Sequence, residues 1–533
     1  MLPVLQKRPL PLALCLIAIA CVRIAATWTV FANTGDEPSH VACGLEYLAD
    51  RVYRLETQHP PLARAMAALG PYLYGARPRG LGDHVREGMA IINYQGHPEL
   101  ILNLMRAGVL PFFFVASLVV FFWARREFGE AVAVVATGLF TLLPPVLAHA
   151  GLACTDMALA ASVGVAFLAA IGWARTPTWQ NGLLLGAASA MAALSKFTSI
   201  GYLPAAAAFA LLFYVAIERP GMSRLAAQAR ERAATFGLAA GTGTLLVWAA
   251  YWFSFGKPAG WNFALPAPEF FDGIRCALHH NRIGHPAYLL GQFSNTGWWY
   301  YFPVALAVKT PLGFLALLGA GLYRCWMRRA SLAYWLPVAF CLGILAPAMT
   351  ANINIGVRHI LPIYLGFAIV TALGVVHMAP AKWPGWTAAA LVLWTAASGA
   401  VSHPDYLAYF NELVRGEPDA VLIDSDYDWG QDTKRLARRL HELGVTEVSF
   451  GSLGAIDDRY LQVFPGLPKV KKINPIEPAE GWTAVNPTIA RATQYGLNYR
   501  YPNLKPWFEY LEPKERVGTI RLYYVPPGSL PRH

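Results

Sequence analysis

Charge is scarce in this chain. Only 14% of its 533 residues are Asp, Glu, Lys or Arg, while 56% are hydrophobic and the mean hydropathy is +0.37. That balance excludes an ordinary soluble domain and points to a chain whose solvent is largely lipid. Cysteine is sparse as well: seven are scattered, most in or beside apolar runs, with no CxxC pair. Neither a disulfide framework nor a zinc site fits that pattern. No glycine motif of the dinucleotide or P-loop type stands between a plausible strand and helix, so no nucleotide-bound substrate is indicated. Acidic residues are outnumbered 32 to 43, for a net charge of +11. Such an excess would suit nucleic acid unless the basic residues sort by membrane side.

Long apolar runs are plentiful. About eleven recur, over 10–32, 107–124, 131–149, 157–173, 181–194, 201–217, 234–255, 303–323, 332–350, 358–377 and 385–402. Most are near the roughly 17 to 25 residues that cross a hydrocarbon core of about 30 Å. The first starts after Lys7 and Arg8 and lacks a small-x-small cleavage site, so it reads as a membrane anchor rather than a signal peptide. With the N-terminus inside, alternate loops carry the basic residues: Arg125 and Arg126, Arg175, Arg219 to Arg232, Arg324 to Arg329, then Lys382. The positive-inside rule thus absorbs the basic excess, and nucleic acid is not an expected partner.

The fold class expected is a polytopic α-helical membrane protein of about eleven spans, 1–402, followed by a small extracytoplasmic α/β domain, 403–533. In the latter, 420–423, 431–443 and 447–450 read as strand, helix and strand, and 519–525 as a later strand. The outer loops are 33–103, turns near Asp156 and Lys196, 256–302 and 351–357. Within 36–75, Glu37 and Pro38 open a helix to about Asp50 and Pro61 opens another, with Leu62, Met66, Leu69 and Leu73 on one face. Both suit the membrane interface, beside a lipid-facing cleft.

The outer ends of the spans collect ionisable residues. T-G-D-E-P-S-H places Asp36 and Glu37 at the exit of the first run, and Q-H-P-P-L, C-T-D, S-K-F-T, V-K-T-P and G-V-R-H add His59, Asp156, Lys196, Lys309, Arg358 and His359. Singly, each has a plain alternative: helix caps for the acids, snorkelling for Lys196, Lys309 and Arg358, and interfacial residence for the histidines. Together they read as a site, because charge at membrane depth is costly and sits there for function by default. Carboxylates supply a base or metal ligands, and cations supply a phosphate clamp. The loop 256–302 adds Trp261, Phe263, His279, His280 and Trp298 to Tyr301, for which an interfacial aromatic belt is the plainer reading. Asp424, Asp426, Asp428 and Asp432 lack the Gly and terminal Glu of an EF-hand and read as capping and turn chemistry.

The run D-E-P-S-H-V-A-C-G-L-E-Y-L, followed by Q-H-P-P-L, resembles the opening of the polyprenyl-phosphate-dependent GT-C glycosyltransferases, the protein O-mannosyltransferase and aminoarabinose transferase superfamily. K-T-P-L, G-V-R-H-I-L-P-I-Y and D-S-D-Y-D-W-G-Q-D resemble a bacterial branch of it, so the likeness covers most of the chain. The resemblance implies a catalytic role for Asp36, with Asp156 in the same cavity. Aminoarabinose transferases carry Lys-Pro-Pro where this chain has His59-Pro60-Pro61, which replaces a permanent cation by a titrating one and argues against an aminoarabinose donor.

The expected activity is an inverting glycosyltransferase that moves a sugar from a polyprenyl-phosphate donor to an extracytoplasmic acceptor hydroxyl on protein, lipid or glycan. Asp36 is the expected base, with Glu37 and Asp156 as support or as ligands to a divalent cation. His59, Lys196, Lys309, Arg358 and His359 are the expected phosphate-binding groups. The expected setting is the inner membrane with the site on its outer face. The competing class is a transporter or flippase, which would place charges near the midplane and show internal repeats. Here the charges gather at one face.

Overall fold

Each of the apolar runs forms helix over most of its length in the computed structural model, which describes residues 8–450, 464, 466–473, 477–500 and 505–527. Lys7 lies outside the described residues. Among the described residues six helices are long and apolar enough to cross a membrane, or up to eight spans if each of two bent pairs counts as one. The other runs, 181–194, 358–377 and 385–402, form helices that are shorter or less apolar: Trp179–Ser195, Ile363–Met378 and Lys382–Val401. The chain is a multi-pass membrane protein. Its helices Ser199–Glu218 and Met222–Ala250 bury little and display Leu211, Leu212, Phe236 and Leu245, as lipid-facing helices do. Pro98–Phe128 and Asp156–Arg175 are instead more than half buried and pack on one another.

Two spans are broken by proline. Glu130–Phe140 and Pro144–Ala150 meet at 68°, and Tyr301–Lys309 and Leu312–Met327 at 115°. Proline lacks the N–H that would continue the ladder and so leaves carbonyls free. At the sharper break Asn411 fills the gap, its Nδ2 donating to the carbonyls of Ala307 at 2.6 Å and Thr310 at 2.7 Å.

The first long loop folds as Glu37–Leu45, continued by a wider turn Glu46–Asp50, then Pro61–Tyr74. On Pro61–Tyr74 the small residues Ala63, Ala67 and Ala68 pack inward while Leu69 and Leu73 are exposed on an outward apolar face. His84–Ile92 is a further helix there, and Pro268–Ile283 one in the loop 256–302. That second loop also holds two small hairpins, β1 (Phe255–Gly256) with β2 (Leu265–Pro266) and β3 (Ala287–Leu289) with β4 (Gln292–Ser294).

Beyond residue 432, helices Thr433–Glu442 and Pro487–Arg500 accompany a mixed sheet of β5 (Glu447–Phe450), β6 (Lys469–Lys471), β7 (Gly481–Val485), β8 (Glu515–Val517) and β9 (Ile520–Val525). The order is β6-β5-β7-β9-β8, with β5 parallel to both neighbours and the remaining pairs antiparallel. The strand expected over 420–423 does not form. Pro418–Ala420 is a 3-10 turn, the Val421 carbonyl accepts from the Leu290 N–H beside β3, and Arg491 and Arg521 clamp Asp419. Tertiary tethers outweigh the β-branched pattern there.

Candidate functional site

Asp36 stands at the N-cap of Glu37–Leu45, yet its side chain makes no capping bond. It turns instead to Arg358, whose Nη1 donates to Oδ2 at 2.7 Å. Arg358 lies on the 3-10 turn Val357–Ile360, which packs against the broken helix Tyr301–Lys309. Its guanidinium stacks 4.1 Å from the Trp429 ring centroid and stands 3.8 Å from Asp156 Oδ2. Asp156 Oδ1 in turn accepts from Lys196 Nζ at 2.6 Å. Asp36, Arg358, Asp156 and Lys196 therefore alternate in sign, which keeps buried charge paired.

A cavity of about 890 Å³ opens over this chain of charges, lined by Asp36, His59, Lys196, Arg358, His359 and Asp424 among its polar groups. Tyr202, Leu278 and Pro347 contribute apolar wall. Asp36 keeps 38% of its side chain exposed, whereas Asp156 is wholly buried behind the two cations. Burial would raise the Asp36 carboxyl, but Arg358, with His40 and His59, holds it below its ordinary value, so it is ionised at neutral pH.

The expected cations divide. Lys196 and Arg358 face the cavity as charges. Burial, reinforced by Arg64, keeps His59 below its ordinary pKa despite Glu56, and burial with Lys196 and Arg358 keeps His359 well below its own. Both offer neutral imidazoles, so as phosphate ligands they would act by hydrogen bonds rather than charge. Lys309 does not line the cavity: its Nζ donates to the carbonyls of Leu407 at 2.8 Å and Asp426 at 2.5 Å.

Glu37 also turns away. It is fully buried, with Arg106 Nε donating to Oε1 and Nη2 to Oε2, both at 2.9 Å. Backbone N–H groups of Thr34 and Ala153 add bonds of 2.8 Å each. Every lone-pair direction is taken, so Glu37 ties the first loop to the helix bundle and is neither base nor ligand in the cavity. Among the described residues no group of three or more His, Cys, Asp or Glu is placed to hold a metal ion.

Of the aromatic loop, Tyr301 and Phe302 line the cavity, while Trp299 is 67% exposed as an interfacial residue is. The aspartates after 423 are mostly structural. Asp426 Oδ1 accepts from the Val357 N–H at 2.9 Å, and Asp432 Oδ2 accepts from Thr519 N and Oγ1 at 2.9 Å each. Asp424 and Trp429 are exceptions that the sequence pattern did not separate from their neighbours. The only hint was an aromatic within an Asp-rich turn.

Residues 105–229 match the family model of dolichyl-phosphate-mannose-protein mannosyltransferase. Among solved structures, the chain is similar to ArnT from Cupriavidus metallidurans bound to undecaprenyl phosphate, with 13% identity and a TM-score of 0.51 over 96% of this chain and 97% of that one. The apo form of ArnT gives 14% identity and a TM-score of 0.50 over the same shares. The chain has the ArnT fold. No curated protein sequence matches it. The resemblance to the polyprenyl-phosphate-dependent GT-C glycosyltransferases thus extends from motifs to fold, and the cavity beside Asp36 is the site to be explained within that fold.

Proposed function

We propose that the protein is an inverting glycosyltransferase that moves a sugar from a polyprenyl-phosphate donor to an acceptor hydroxyl at the outer face of the membrane. The observation that carries this reading is the Asp36–Arg358 pair at 2.7 Å, open on one side to the cavity. Asp36 takes the proton of the acceptor hydroxyl, and that oxygen attacks the anomeric carbon from the face opposite the phosphate. The bond from anomeric carbon to phosphate oxygen breaks, and its electron pair leaves with the polyprenyl phosphate. Arg358 and Lys196 stabilise the departing charge, with His59 and His359 as hydrogen-bonding partners. Asp156 positions both cations. Outward apolar faces such as Leu69 and Leu73 suit a donor whose tail stays in lipid. The undecaprenyl phosphate bound by ArnT adds support, as does the mannosyltransferase family model.

The test is purified protein in lipid discs, given a panel of polyprenyl-phosphate hexoses and pentoses with product analysis. The expected result is release of polyprenyl phosphate and a glycoside inverted at the anomeric centre. Retention would overturn single displacement. Intact donor recovered from the opposite leaflet would make the protein a transporter.

A further inference from the structure

One wall of the cavity is not built by the membrane helices. Ile423, Asp424 and Trp429, from the segment that leads into the mixed sheet, line it, together with Thr488 and Ala492 of the helix Pro487–Arg500. This segment is firmly seated. Ser425 Oγ donates to the Ile355 carbonyl, Asp426 receives the Val357 N–H, and Lys309 Nζ donates to the Asp426 carbonyl. Thr488 Oγ1 accepts the Asp424 N–H at 3.3 Å and donates to the Asp428 carbonyl at 3.3 Å. Trp429 fixes the Arg358 guanidinium from the same wall.

Within this tethered turn, Asp424 has φ +60, a left-handed backbone that few side chains tolerate. Strain of that kind persists where the surroundings enforce it and often marks a working position. The turn delivers the carboxylate to the cavity. Oδ1 accepts the Ser425 N–H at 2.6 Å, and Oδ2 has no hydrogen-bond partner among the described residues. The proposed reaction, as derived above, makes no use of this group.

We infer that Asp424 is a sugar-hydroxyl receptor, a specificity-determining residue whose free carboxylate oxygen accepts a hydrogen bond from one hydroxyl of the transferred sugar. The inference rests on the transfer reading and adds to it the residue that reads the sugar. Arg358 and Lys196 hold the phosphate end, Asp36 meets the acceptor, and Asp424 reads the sugar ring from the wall opposite the helix bundle.

The test uses the full chain in lipid discs, with the polyprenyl-phosphate sugar that turns over fastest and its set of monodeoxy analogues. For the unaltered protein, one deoxy position is expected to cost about 10- to 100-fold in kcat/KM, the value of a hydrogen bond to a charged group. Asp424→Asn is expected to lose a similar factor with the full sugar and to become nearly indifferent to that one deoxy position. Asparagine tolerates positive φ, and Asp424→Gly, the residue most at ease there, should reproduce the result if folding is intact. Three outcomes overturn the inference while leaving sugar transfer standing: an unchanged kcat/KM in Asp424→Asn, an equal loss with every deoxy donor, or an effect on acceptor KM alone. An unaltered protein that transfers no sugar overturns both readings.

Discussion

Asp36 and Glu37 are neighbours in sequence with opposite fates. Glu37 is enclosed by Arg106 and two backbone N–H groups and reaches no cavity. Among the described residues Asp36 has Arg358 as its one direct ion-pair partner, and it keeps 38% of its side chain open. Both carboxylates pair with an arginine, so an ion pair alone does not distinguish a structural knot from a reactive site. The difference is saturation: Glu37 has no acceptor capacity left, and Asp36 has. The same contrast separates Lys309, spent on the Leu407 and Asp426 carbonyls, from Lys196 at the cavity wall.

Several substitutions would break or sharpen that contrast. The largest effect is expected from Asp36→Asn, which keeps shape and removes the proton acceptor: turnover should fall about 100- to 10,000-fold in a folded, membrane-inserted protein. The melting temperature in detergent, measured alongside, should fall less than in Glu37→Gln, since Asp36 makes no capping bond and Arg358 keeps Asp156 at 3.8 Å. Glu37→Gln strands the buried Arg106 charge and should cost about 3–5 kcal/mol of stability. Its readout is a lower melting temperature and yield, with turnover per folded molecule within a few-fold of the parent. Arg358→Lys keeps the charge but loses the planar fork and the Trp429 stack, so donor KM should rise about 10-fold. An unchanged KM would return Arg358 to a purely structural pairing.

The smallest effect concerns pH. Burial pushes the Asp424 carboxyl up to about 6; Asp36 and Asp426 push the same way, while Arg358 and the Ser425 N–H oppose. Ionisation makes it a stronger acceptor, so donor KM should drop a few-fold as pH rises through about 6. The step should vanish in Asp424→Asn. The sign for stability is the reverse. The folded state holds this proton more tightly than the unfolded chain, whose aspartate titrates near the ordinary value of about 3.9. Asp424 therefore subtracts stability as pH rises from there to about 6.

Much of the bundle was legible because hydropathy is a direct readout of lipid contact, and the eleven apolar runs all returned as helix. Asp36, Lys196 and Arg358 were legible for a related reason: charge at the ends of apolar runs is expensive and draws attention. What decided Glu37 was Arg106, 69 residues away inside an otherwise apolar helix, and no local pattern announces such a partner. Lys309 stands at the end of an apolar run as Lys196 does, but its Nζ is taken by the carbonyls of Leu407 and Asp426, 98 and 117 residues away, which no local pattern announces. The helices His84–Ile92 and Pro268–Ile283 are short and amphipathic, a faint signal beside long apolar runs. The segment 420–423 has a strand-like composition but is fastened as a turn. Asp424 looked like its neighbouring aspartates because a positive φ is a property of the tethered turn, invisible in the D-S-D-Y-D-W-G-Q-D string.

The most direct test sets the adjacent carboxylates against each other. Asp36→Asn and Glu37→Gln are purified in lipid discs, the folded fraction of each is counted, and release of polyprenyl phosphate from a labelled donor is measured per folded molecule. Glu37→Gln is expected to stay within a few-fold of the parent while Asp36→Asn falls at least about 100-fold. Equal turnover in the two variants, or a loss confined to Glu37→Gln, would contradict the assignment of the base to Asp36.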